Sequence, residues 1–267
     1  MIIGKAISPF ALRKKNGGGG GGYDADAQLF ITATGITGTN ATATNQLVLD
    51  LKSANIWTKM KAVYPLVGNT ASSQKFNLIN PLDTNAANRL TFFGGGTFSA
   101  NGYLPNGVNA YASTFLIPNT VFGAGFASIG IYINQALTVG ATVMGSTNMD
   151  IQMNTTFVRG VNKNTTNILN SATLPMTGFI VNSRTTSTNA FIMNRSGTFV
   201  TNATAAVANY ATTDIVLGAT NSNGTINGYS TSQIAFAYCS DFLTQAEATT
   251  LKTIVQNFQT TLGRQVV

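Results

Sequence analysis

The stretch Ile234-Ala-Phe-Ala-Tyr-Cys-Ser-Asp-Phe-Leu-Thr-Gln-Ala-Glu-Ala248 decides the fold. Its first half is rich in aromatic and β-branched residues, which is typical of a strand. Its second half holds a capping box, in which the Thr244 side chain accepts a hydrogen bond from the Glu247 amide and the Glu247 side chain accepts one from the Thr244 amide. Gly263 stands where a left-handed C-cap belongs. An apolar stripe at helical spacing joins the two ends: Ala248, Leu251, Val255, Phe258 and Leu262. The stretch therefore predicts a strand followed directly by a C-terminal helix, with a structural role for Glu247.

Upstream of this stretch, residues 69–241 are a string of short β-branched or aromatic segments. These are Leu90–Phe93, Ala110–Ile117, Ile129–Ile133, Ile151–Val158, Gly178–Val181, Ala190–Met193, Asp214–Gly218 and Gln233–Tyr238. Asn-Gly pairs, which favour tight hairpin turns, separate several of them. These pairs are Asn101-Gly102, Asn106-Gly107, Asn223-Gly224 and Asn227-Gly228. With no long amphipathic helix between the strands, the pattern predicts an antiparallel sandwich.

Residues 23–68 have helical patterns. Asp24 is placed to cap a helix that runs to about Thr34 and ends at Gly35. Thr42 or Thr44 is placed to cap a second helix, whose buried stripe is Leu47, Leu51 and Ala54. A third helical turn is predicted to open at Thr58, to carry Trp57, Met60 and Tyr64, and to close at Pro65. The simplest interpretation of Trp57 is that its helix packs on a larger body.

The first 22 residues are a different kind of segment. They are partly apolar, then basic, and end in six glycines from Gly17 to Gly22. Polyglycine has high backbone entropy and no side chains to bury, so alone it is expected to be a flexible tether. The segment is either a disordered leader or an extended arm that becomes ordered on a partner, and we expect the arm. Its candidate anchoring residues are Lys5, Phe10, Arg13, Lys14 and Lys15. The predicted organisation is thus an arm (1–22), a helical lead-in (23–68) and a sandwich with its closing helix (69–267).

Composition argues against an enzyme. The chain has no histidine, one glutamate and one cysteine, Cys239. Without histidine, Ser–His and Cys–His activation and all histidine-containing metal sites are excluded. No calcium loop, phosphate-binding loop or nucleophile elbow is present, and no strand carries acids alternating on one face. We therefore predict no catalytic residue, no cofactor and no metal.

The charge distribution limits the classes of molecule that the chain is expected to bind. Of the net charge of +7, four charges come from Lys5, Arg13, Lys14 and Lys15, and the remainder of the chain has no basic stripe. We therefore expect no nucleic-acid partner. No apolar run reaches the roughly 20 residues that a membrane helix needs, and no secretory signal is visible. A surface with so few charges has little repulsion to keep copies apart, so we expect a homo-oligomer.

Two segments resemble a known fold family. The first runs from Asn88-Arg-Leu-Thr-Phe-Phe-Gly-Gly-Gly-Thr-Phe-Ser99 through Leu104-Pro-Asn-Gly-Val-Asn-Ala-Tyr-Ala-Ser-Thr-Phe-Leu-Ile117, and the second is Ile234–Ala248. They are similar to the early strands and the closing strand and helix of concanavalin A-like, laminin-G-type jelly rolls, over roughly residues 75–262. The resemblance implies a mainly β, antiparallel jelly-roll β-sandwich with an N-terminal helical segment and a C-terminal helix. The calcium-binding pattern of legume-type lectins and the Glu-x-Asp-x-Glu motif of sandwich glucanases are missing, so sugar binding and hydrolysis are not carried over.

A second resemblance concerns function. Four segments look like parts of virion structural proteins of tailed phages, in which a Trp-Thr-Lys-Met-Lys segment precedes a jelly roll. These segments are Asp24–Ile36, Leu51–Gly68, Ala71–Leu78 and Phe258–Val266. This resemblance implies a non-enzymatic particle component, located in the virion on a tail, a fibre or the head surface. Its N-terminal arm would contact other virion proteins.

Two alternatives stay open beside this hypothesis. One is a carbohydrate-binding module for host attachment, which would contact a host surface glycan through aromatic residues beside asparagines. The candidates are Tyr103, Tyr111 and Tyr229, with Tyr132 as a further member. The other is a depolymerase domain, which requires a pair of carboxylates in a cleft. Coplanar exposed aromatics would favour the first and a carboxylate pair the second.

Overall fold

The computed structural model describes residues 22–135, 140–154, 157–164, 168–171, 177–203 and 205–266, with backbone alone for 168–171. The candidate anchoring residues Lys5, Phe10, Arg13, Lys14 and Lys15 lie outside the described residues.

The described chain contains five α-helices and seventeen strands. The helices are α1 (Ala25–Thr34), α2 (Gly38–Ser53), α3 (Ala71–Gln74), α4 (Pro118–Phe122) and α5 (Gln245–Thr261). The strands in the first half are β1 (Met60–Tyr64), β2 (Thr91–Phe93), β3 (Thr97–Ser99), β4 (Gly102–Leu104), β5 (Tyr111–Ser113), β6 (Ala127–Gln135), β7 (Ala141–Ser146), β8 (Met149–Met153) and β9 (Phe157–Asn162). The later strands are β10 (Ile168–Ser171), β11 (Gly178–Thr186), β12 (Asn189–Met193), β13 (Phe199–Asn202), β14 (Val216–Leu217), β15 (Thr220–Ser222), β16 (Thr225–Asn227) and β17 (Gln233–Asp241).

The strands form two sheets, which face each other as a sandwich. The first sheet has the order β13-β12-β11-β6-β17-β4-β3, with β1 also paired to β17. The second sheet has the order β10-β9-β8-β7-β14-β5-β2, with β15 and β16 attached beside β7. The described pairings are antiparallel apart from a single parallel bridge between Asn221 and Ser146. The predicted fold class is confirmed: the chain is a mainly β sandwich with N-terminal helices and a C-terminal helix.

Two hydrophobic cores give the molecule three layers. One core lies between the sheets and includes Ile131 of β6 and Ile151 of β8. The other packs Leu47 of α2 and Leu251 of α5 against the outer side of the first sheet, where Phe236 of β17 lies. Because the first sheet is covered on both sides, β6, β11 and β17 are buried along nearly their whole length.

Helix α5 follows its sequence signals closely. The capping box is formed, with the Thr244 amide donating to Glu247 Oε2 at 2.8 Å and the Glu247 amide donating to Thr244 Oγ1 at 3.2 Å. Gly263 is left-handed, with a φ of 67°. Its amide and the Arg264 amide donate back to the carbonyls of Thr260 and Gln259, which is the double closure of a Schellman motif.

The N-terminal segment departs from prediction in two ways. Helix α2 begins at Gly38 after Thr37, so the prediction that Thr42 or Thr44 caps it is wrong; both hydroxyls bond carbonyls one turn back inside the helix. The predicted third helical turn is a single 3-10 turn, Trp57–Lys59, followed by strand β1. Burial decides this outcome, since β1 pairs with β17 and its residues face both cores.

The strand predictions need three further corrections. Residues 151–158 belong to two strands, β8 and β9, because Asn154 and Phe157 bond each other and begin a reversal of the chain. The predicted strand Ala110–Ile117 is shortened to β5, because Phe115 has a left-handed φ of 54°. Strands β3, β4, β7, β10, β13, β15 and β16 were not predicted. The first helix, from Asp24 to Gly35, is confirmed.

Among the described residues, no helix is long and apolar enough to cross a membrane.

Candidate functional site

The outer face of the second sheet is the surface that the helical layer leaves free. Successive side chains of a strand point to opposite sides, so the partners of core residues point outward. In β8, Ile151 enters the core while Asp150 and Gln152 face outward. In β5, Ala112 enters the core while Tyr111 and Ser113 face outward. Two neighbouring cavities lie on this face.

The first cavity, which we call the aromatic cleft, has a volume of about 400 Å³. Its lining residues are Phe93, Tyr111, Ser113, Phe115, Ile117, Thr212, Thr213, Asp214, Val216, Asn221, Gly224 and Ile226. Strand pairing sets Phe93 of β2 directly opposite Tyr111 of β5. Their rings stack with centroids 4.9 Å apart and an interplanar angle of 16°, and Phe93 is 41% exposed. The Tyr229 ring lies 6.5 Å from that of Tyr111, which extends the aromatic surface.

A carboxylate is fixed inside the aromatic cleft. Asp214 accepts a hydrogen bond from Ser113 Oγ on one oxygen and one from Asn221 Nδ2 at 2.8 Å on the other. Asn221 is itself oriented, because its Oδ1 accepts the Gly224 amide at 2.9 Å. Burial raises the pKa of the Tyr111 hydroxyl, and the nearby Tyr229 and Asp214 raise it further. The cleft thus presents a neutral phenol beside an oriented acceptor.

Phe115 is placed in the aromatic cleft by an unusual backbone. Its φ of 54° lies in the left-handed region, which is an outlier for a bulky residue. The Phe115 amide donates to Ser113 Oγ at 3.2 Å, and this bond holds the conformation. Such strain persists where the surroundings enforce it, and it is concentrated at functional sites.

The second cavity, which we call the polar cavity, has a volume of about 730 Å³. Its lining residues are Gly140, Ala141, Thr142, Ser146, Thr147, Asn148, Asp150, Gln152, Met153, Asn154, Phe157, Arg159, Thr220, Ser222, Asn223, Asn227 and Gly228. Asp150 is 7% exposed, and burial raises its pKa to about 6 although it accepts bonds from Gln152 and the Val161 amide. Gly145 stands opposite Asp150, and a side chain there would approach the Asp150 Cβ to 2.5 Å.

The hairpin of β15 and β16 is the ridge between the two cavities. Because strand residues alternate in direction, Thr220 and Ser222 line the polar cavity while Asn221 between them lines the aromatic cleft. The hairpin is tied down at its tip, where the Asn223 amide donates to Thr147 Oγ1 at 2.9 Å. The Thr142 amide, donating to Gly228 at 3.0 Å, ties down its far end.

The structure separates the tyrosines proposed as glycan contacts. Tyr111 lines the aromatic cleft, and Tyr229 lies beside it, with its ring 6.5 Å from that of Tyr111. Tyr103 is wrongly assigned: it is fully buried against the Phe92 and Phe98 rings and has no surface to offer a ligand. Tyr132 is corrected for the same reason, since it is buried in the core beneath the helices.

Several residues of both cavities were missed from the sequence. The alternation Met149-Asp-Ile-Gln-Met153 would have placed Asp150 and Gln152 on one exposed face. Asp214 and Phe115 carry no comparable sequence signal, because the pairing of distant strands brings them to Tyr111.

No group of three potential His, Cys, Asp or Glu metal ligands is found in the part of the chain that the structure describes. Glu247, outside both cavities, is occupied by its capping role and by an ion pair with Lys59.

Comparison with known proteins identifies similar folds. No protein family matches the sequence, and no curated protein is similar to it. The binding domain of botulinum neurotoxin DC, solved in complex with SialylT, is similar with a TM-score of 0.50 and 11% identity; the match covers 75% of this chain and 52% of that one. The sialidase of Trypanosoma rangeli, solved in complex with sialic acid, matches with a TM-score of 0.51 and 10% identity over 72% of this chain and 32% of that one.

A botulinum neurotoxin type C structure, from work on its interaction with two ganglioside molecules, gives a TM-score of 0.50 and 14% identity, covering 76% of this chain and 53% of that one. The chain therefore spans about half of the matched toxin chains and a third of the sialidase. At these identities the similarity shows the β-sandwich fold.

Proposed function

We propose that this chain is a non-enzymatic carbohydrate-binding module that binds glycans on the outer face of its second sheet. The observation that carries the proposal is the stacked pair of Phe93 and Tyr111 beside the oriented carboxylate of Asp214. Sugar rings present apolar C–H faces and polar hydroxyl edges. A site with an aromatic surface and a few fixed polar groups is suited to both.

The fold comparison supports this proposal. Two of the similar structures are named for complexes with SialylT or sialic acid, and a third for its interaction with ganglioside molecules. A β-sandwich with an uncovered sheet face is thus a scaffold on which a glycan site is a reasonable expectation.

The distribution of carboxylates supports a binding role over hydrolysis. Glycosidases in general place two carboxylates on either side of the scissile bond. Among the described lining residues, the aromatic cleft has Asp214 and the polar cavity has Asp150, with no second carboxylate in either. As far as the structure describes their linings, neither cavity contains the pair that a depolymerase needs.

The test is a glycan array probed with the full-length chain, carrying neutral, sulfated and sialylated oligosaccharides. We expect binding to at least one class and a loss of ten-fold or more in affinity for Tyr111→Ala, which corresponds to about 1.4 kcal/mol. Tyr23→Ala is the matched control, because Tyr23 is 40% exposed and precedes α1, outside both cavities. A full-length chain that binds no glycan, or a Tyr111→Ala variant with unchanged affinity, would refute the proposal.

We also propose that the module acts in a phage virion, where it would serve host attachment. This part rests on the sequence resemblance to tailed-phage structural proteins and on the concentration of four of the seven net charges in the first fifteen residues. Mass spectrometry of purified particles, with and without residues 1–22, tests it. If the intact chain is absent from the particles, the virion role is refuted. If the chain without residues 1–22 is incorporated at an undiminished level, the anchoring role of these residues is refuted.

A further inference from the structure

The polar cavity contains a buried carboxylate that the aromatic cleft does not use. Asp150 forms no ion pair among the described residues, although a buried charge is costly unless it is paired. Glycine at position 145 lets Asp150 lie against the neighbouring strand, because a Cβ there would come within 2.5 Å of the Asp150 Cβ. The sheet therefore keeps a charged group beneath a cavity at a cost to stability.

A row of hydrogen bonds fixes the groups on the floor of this cavity. Arg159 Nε donates to Gln152 Oε1 at 2.8 Å, and Gln152 Nε2 donates to Asp150 Oδ2 at 2.6 Å. The two contacts hold the Gln152 amide in one orientation, because its oxygen must face the guanidinium and its nitrogen the carboxylate. Hydrogen-bond acceptors and donors therefore alternate in a fixed order from the Asp150 carboxylate of β8, through the Gln152 amide, to the Arg159 guanidinium of β9.

The walls of the cavity add an apolar surface and unused polar atoms. The Phe157 ring lies 5.7 Å from the Arg159 guanidinium and also lines the cavity. Ser146 Oγ and Asn148 Oδ1, on two lining residues, are buried without a hydrogen-bond partner among the described residues.

We propose that the polar cavity is a second sugar subsite, which takes a neutral ring through two adjacent hydroxyl groups. Each hydroxyl both donates and accepts, which matches the alternating row from Asp150 through Gln152 to Arg159. The negative and positive ends of this row balance each other across Gln152, which favours an uncharged ring over a carboxylated or sulfated one. The inference rests on the proposed glycan-binding function.

The hairpin of β15 and β16 makes the two subsites neighbours. Asn221 contributes to one and Thr220 and Ser222 to the other, so a ligand would cross a ridge one hairpin wide. The ligand is therefore an oligosaccharide, with one ring on the aromatic cleft and another in the polar cavity.

The experiment is isothermal titration calorimetry of the full-length chain at pH 7.5. The probes are neutral hexasaccharides of glucose, mannose, xylose and galactose, their monosaccharides, and oligogalacturonate and a heparin hexasaccharide as anionic probes. We expect a neutral hexasaccharide to bind at least ten-fold more tightly than its monosaccharide. Gln152→Leu and Asp150→Asn should each weaken that binding ten-fold or more. Two variants are used so that failure of one to fold still leaves a measurement.

Gln46→Leu is the matched control, because Gln46 also donates to an aspartate at 2.7 Å but lies on α2 in the helical layer. It should bind as the unaltered chain does. If Tyr111→Ala loses binding while Gln152→Leu and Asp150→Asn retain it, the second subsite is refuted and the proposed function stands. Preferential binding of an anionic probe that Gln152→Leu weakens refutes the neutral assignment. If the unaltered chain binds no probe, the proposed function fails and the subsite with it.

Discussion

At the scale of single residues, Asp150 links the candidate site to stability. Burial raises its pKa to about 6 from 3.8, so the folded protein holds this proton more tightly than the unfolded chain. Stability contributed by such a group is full below pH 4 and is lost as the pH rises from about 4 to 6. At neutral pH the ionised carboxylate therefore destabilises the fold.

Asp150→Asn is accordingly expected to raise the free energy of unfolding at pH 7. The difference between a pKa of about 6 and the usual 3.8 sets an upper bound of about 3 kcal/mol, and loss of the Gln152 bond reduces the expected gain to about 1–2 kcal/mol. The gain should shrink toward pH 4, where the native carboxyl is protonated. Urea titration at pH 4, 5.5 and 7 measures this.

Asp83→Asn is the control of opposite sign, because Lys75 lowers the pKa of Asp83 and the ionised form is the one that the fold favours. The interpretation would be contradicted if Asp150→Asn, compared with the parent chain, raised the free energy of unfolding less at pH 7 than at pH 4.

Arg264 joins three distant parts of the chain at the end of α5. It is 5% exposed, its pKa is lowered to about 9 by burial, and its guanidinium donates to backbone carbonyls from separate segments. The acceptors are the carbonyls of Pro65, Leu66, Ala100 and Ala235, together with Gln259 Oε1.

Arg264→Met is expected to lower the free energy of unfolding by about 3 kcal/mol or more, because buried carbonyls lose a charged donor. Chemical denaturation measures the loss. Arg89→Met is the control, since Arg89 pairs with the half-exposed Asp83 and such surface pairs contribute about 0–1 kcal/mol. Equal effects of the two substitutions would show that the carbonyl cluster is unimportant.

At the scale of secondary-structure elements, the capping box of α5 allows a direct test. Glu247→Ala removes the acceptor of the Thr244 amide and the partner of Lys59. The expected loss is about 0.5–2 kcal/mol, the usual size of a lost helix cap, with no change in glycan binding. A denaturation midpoint identical to that of the parent chain would mean that the cap does not contribute.

The β15–β16 hairpin turns at Asn223-Gly224, where both residues have positive φ, 52° and 95°. Gly224→Ala should cost about 1–2 kcal/mol through backbone strain and should also weaken glycan binding, because the hairpin lines both cavities. Gly35→Ala is the matched control: its φ is 69°, and like Gly224 it faces open space. It should cost similar stability and leave binding unchanged; calorimetry and thermal unfolding of both variants provide the comparison.

The elements differ in how far local sequence determined them. Helix α5 was predictable because its cap, stripe and stop are contained in residues 244–263. Strand β1 was not, because Met60–Tyr64 becomes a strand through its pairing with β17, about 175 residues later in the chain. The same distinction applies to the site: Tyr111 and Tyr229 were recognised as aromatic residues, but Asp214 reaches Tyr111 through the pairing of β5 with β14. Tyr103 was misassigned since no local pattern separates a buried strand tyrosine from an exposed one.

At the scale of the whole molecule, the three layers divide the tasks of the chain. The first sheet is covered on both sides and holds the cores together. The second sheet has one covered side, and its other side carries both cavities. A binding face on a strand scaffold is held more rigidly than one on loops, which is what recognition of sugar hydroxyls requires.

The chain of residues 23–267 is therefore expected to fold and to bind a soluble glycan with the same affinity per site as the full-length protein. Every helix and strand that the structure describes begins at or after Ala25, and every described residue of both cavities lies beyond Phe92. If the arm assembles copies, we expect the full-length protein to be multimeric by light scattering. Its retention time on a glycan-coated surface should then exceed that of the shortened chain by ten-fold or more, because linked sites rebind before the whole oligomer dissociates. Circular dichroism, calorimetry and surface plasmon resonance on the two chains separate these effects. A lower affinity for the soluble glycan in the shortened chain would place part of the site in residues 1–22, and equal retention of the two chains would show that the arm does not assemble copies.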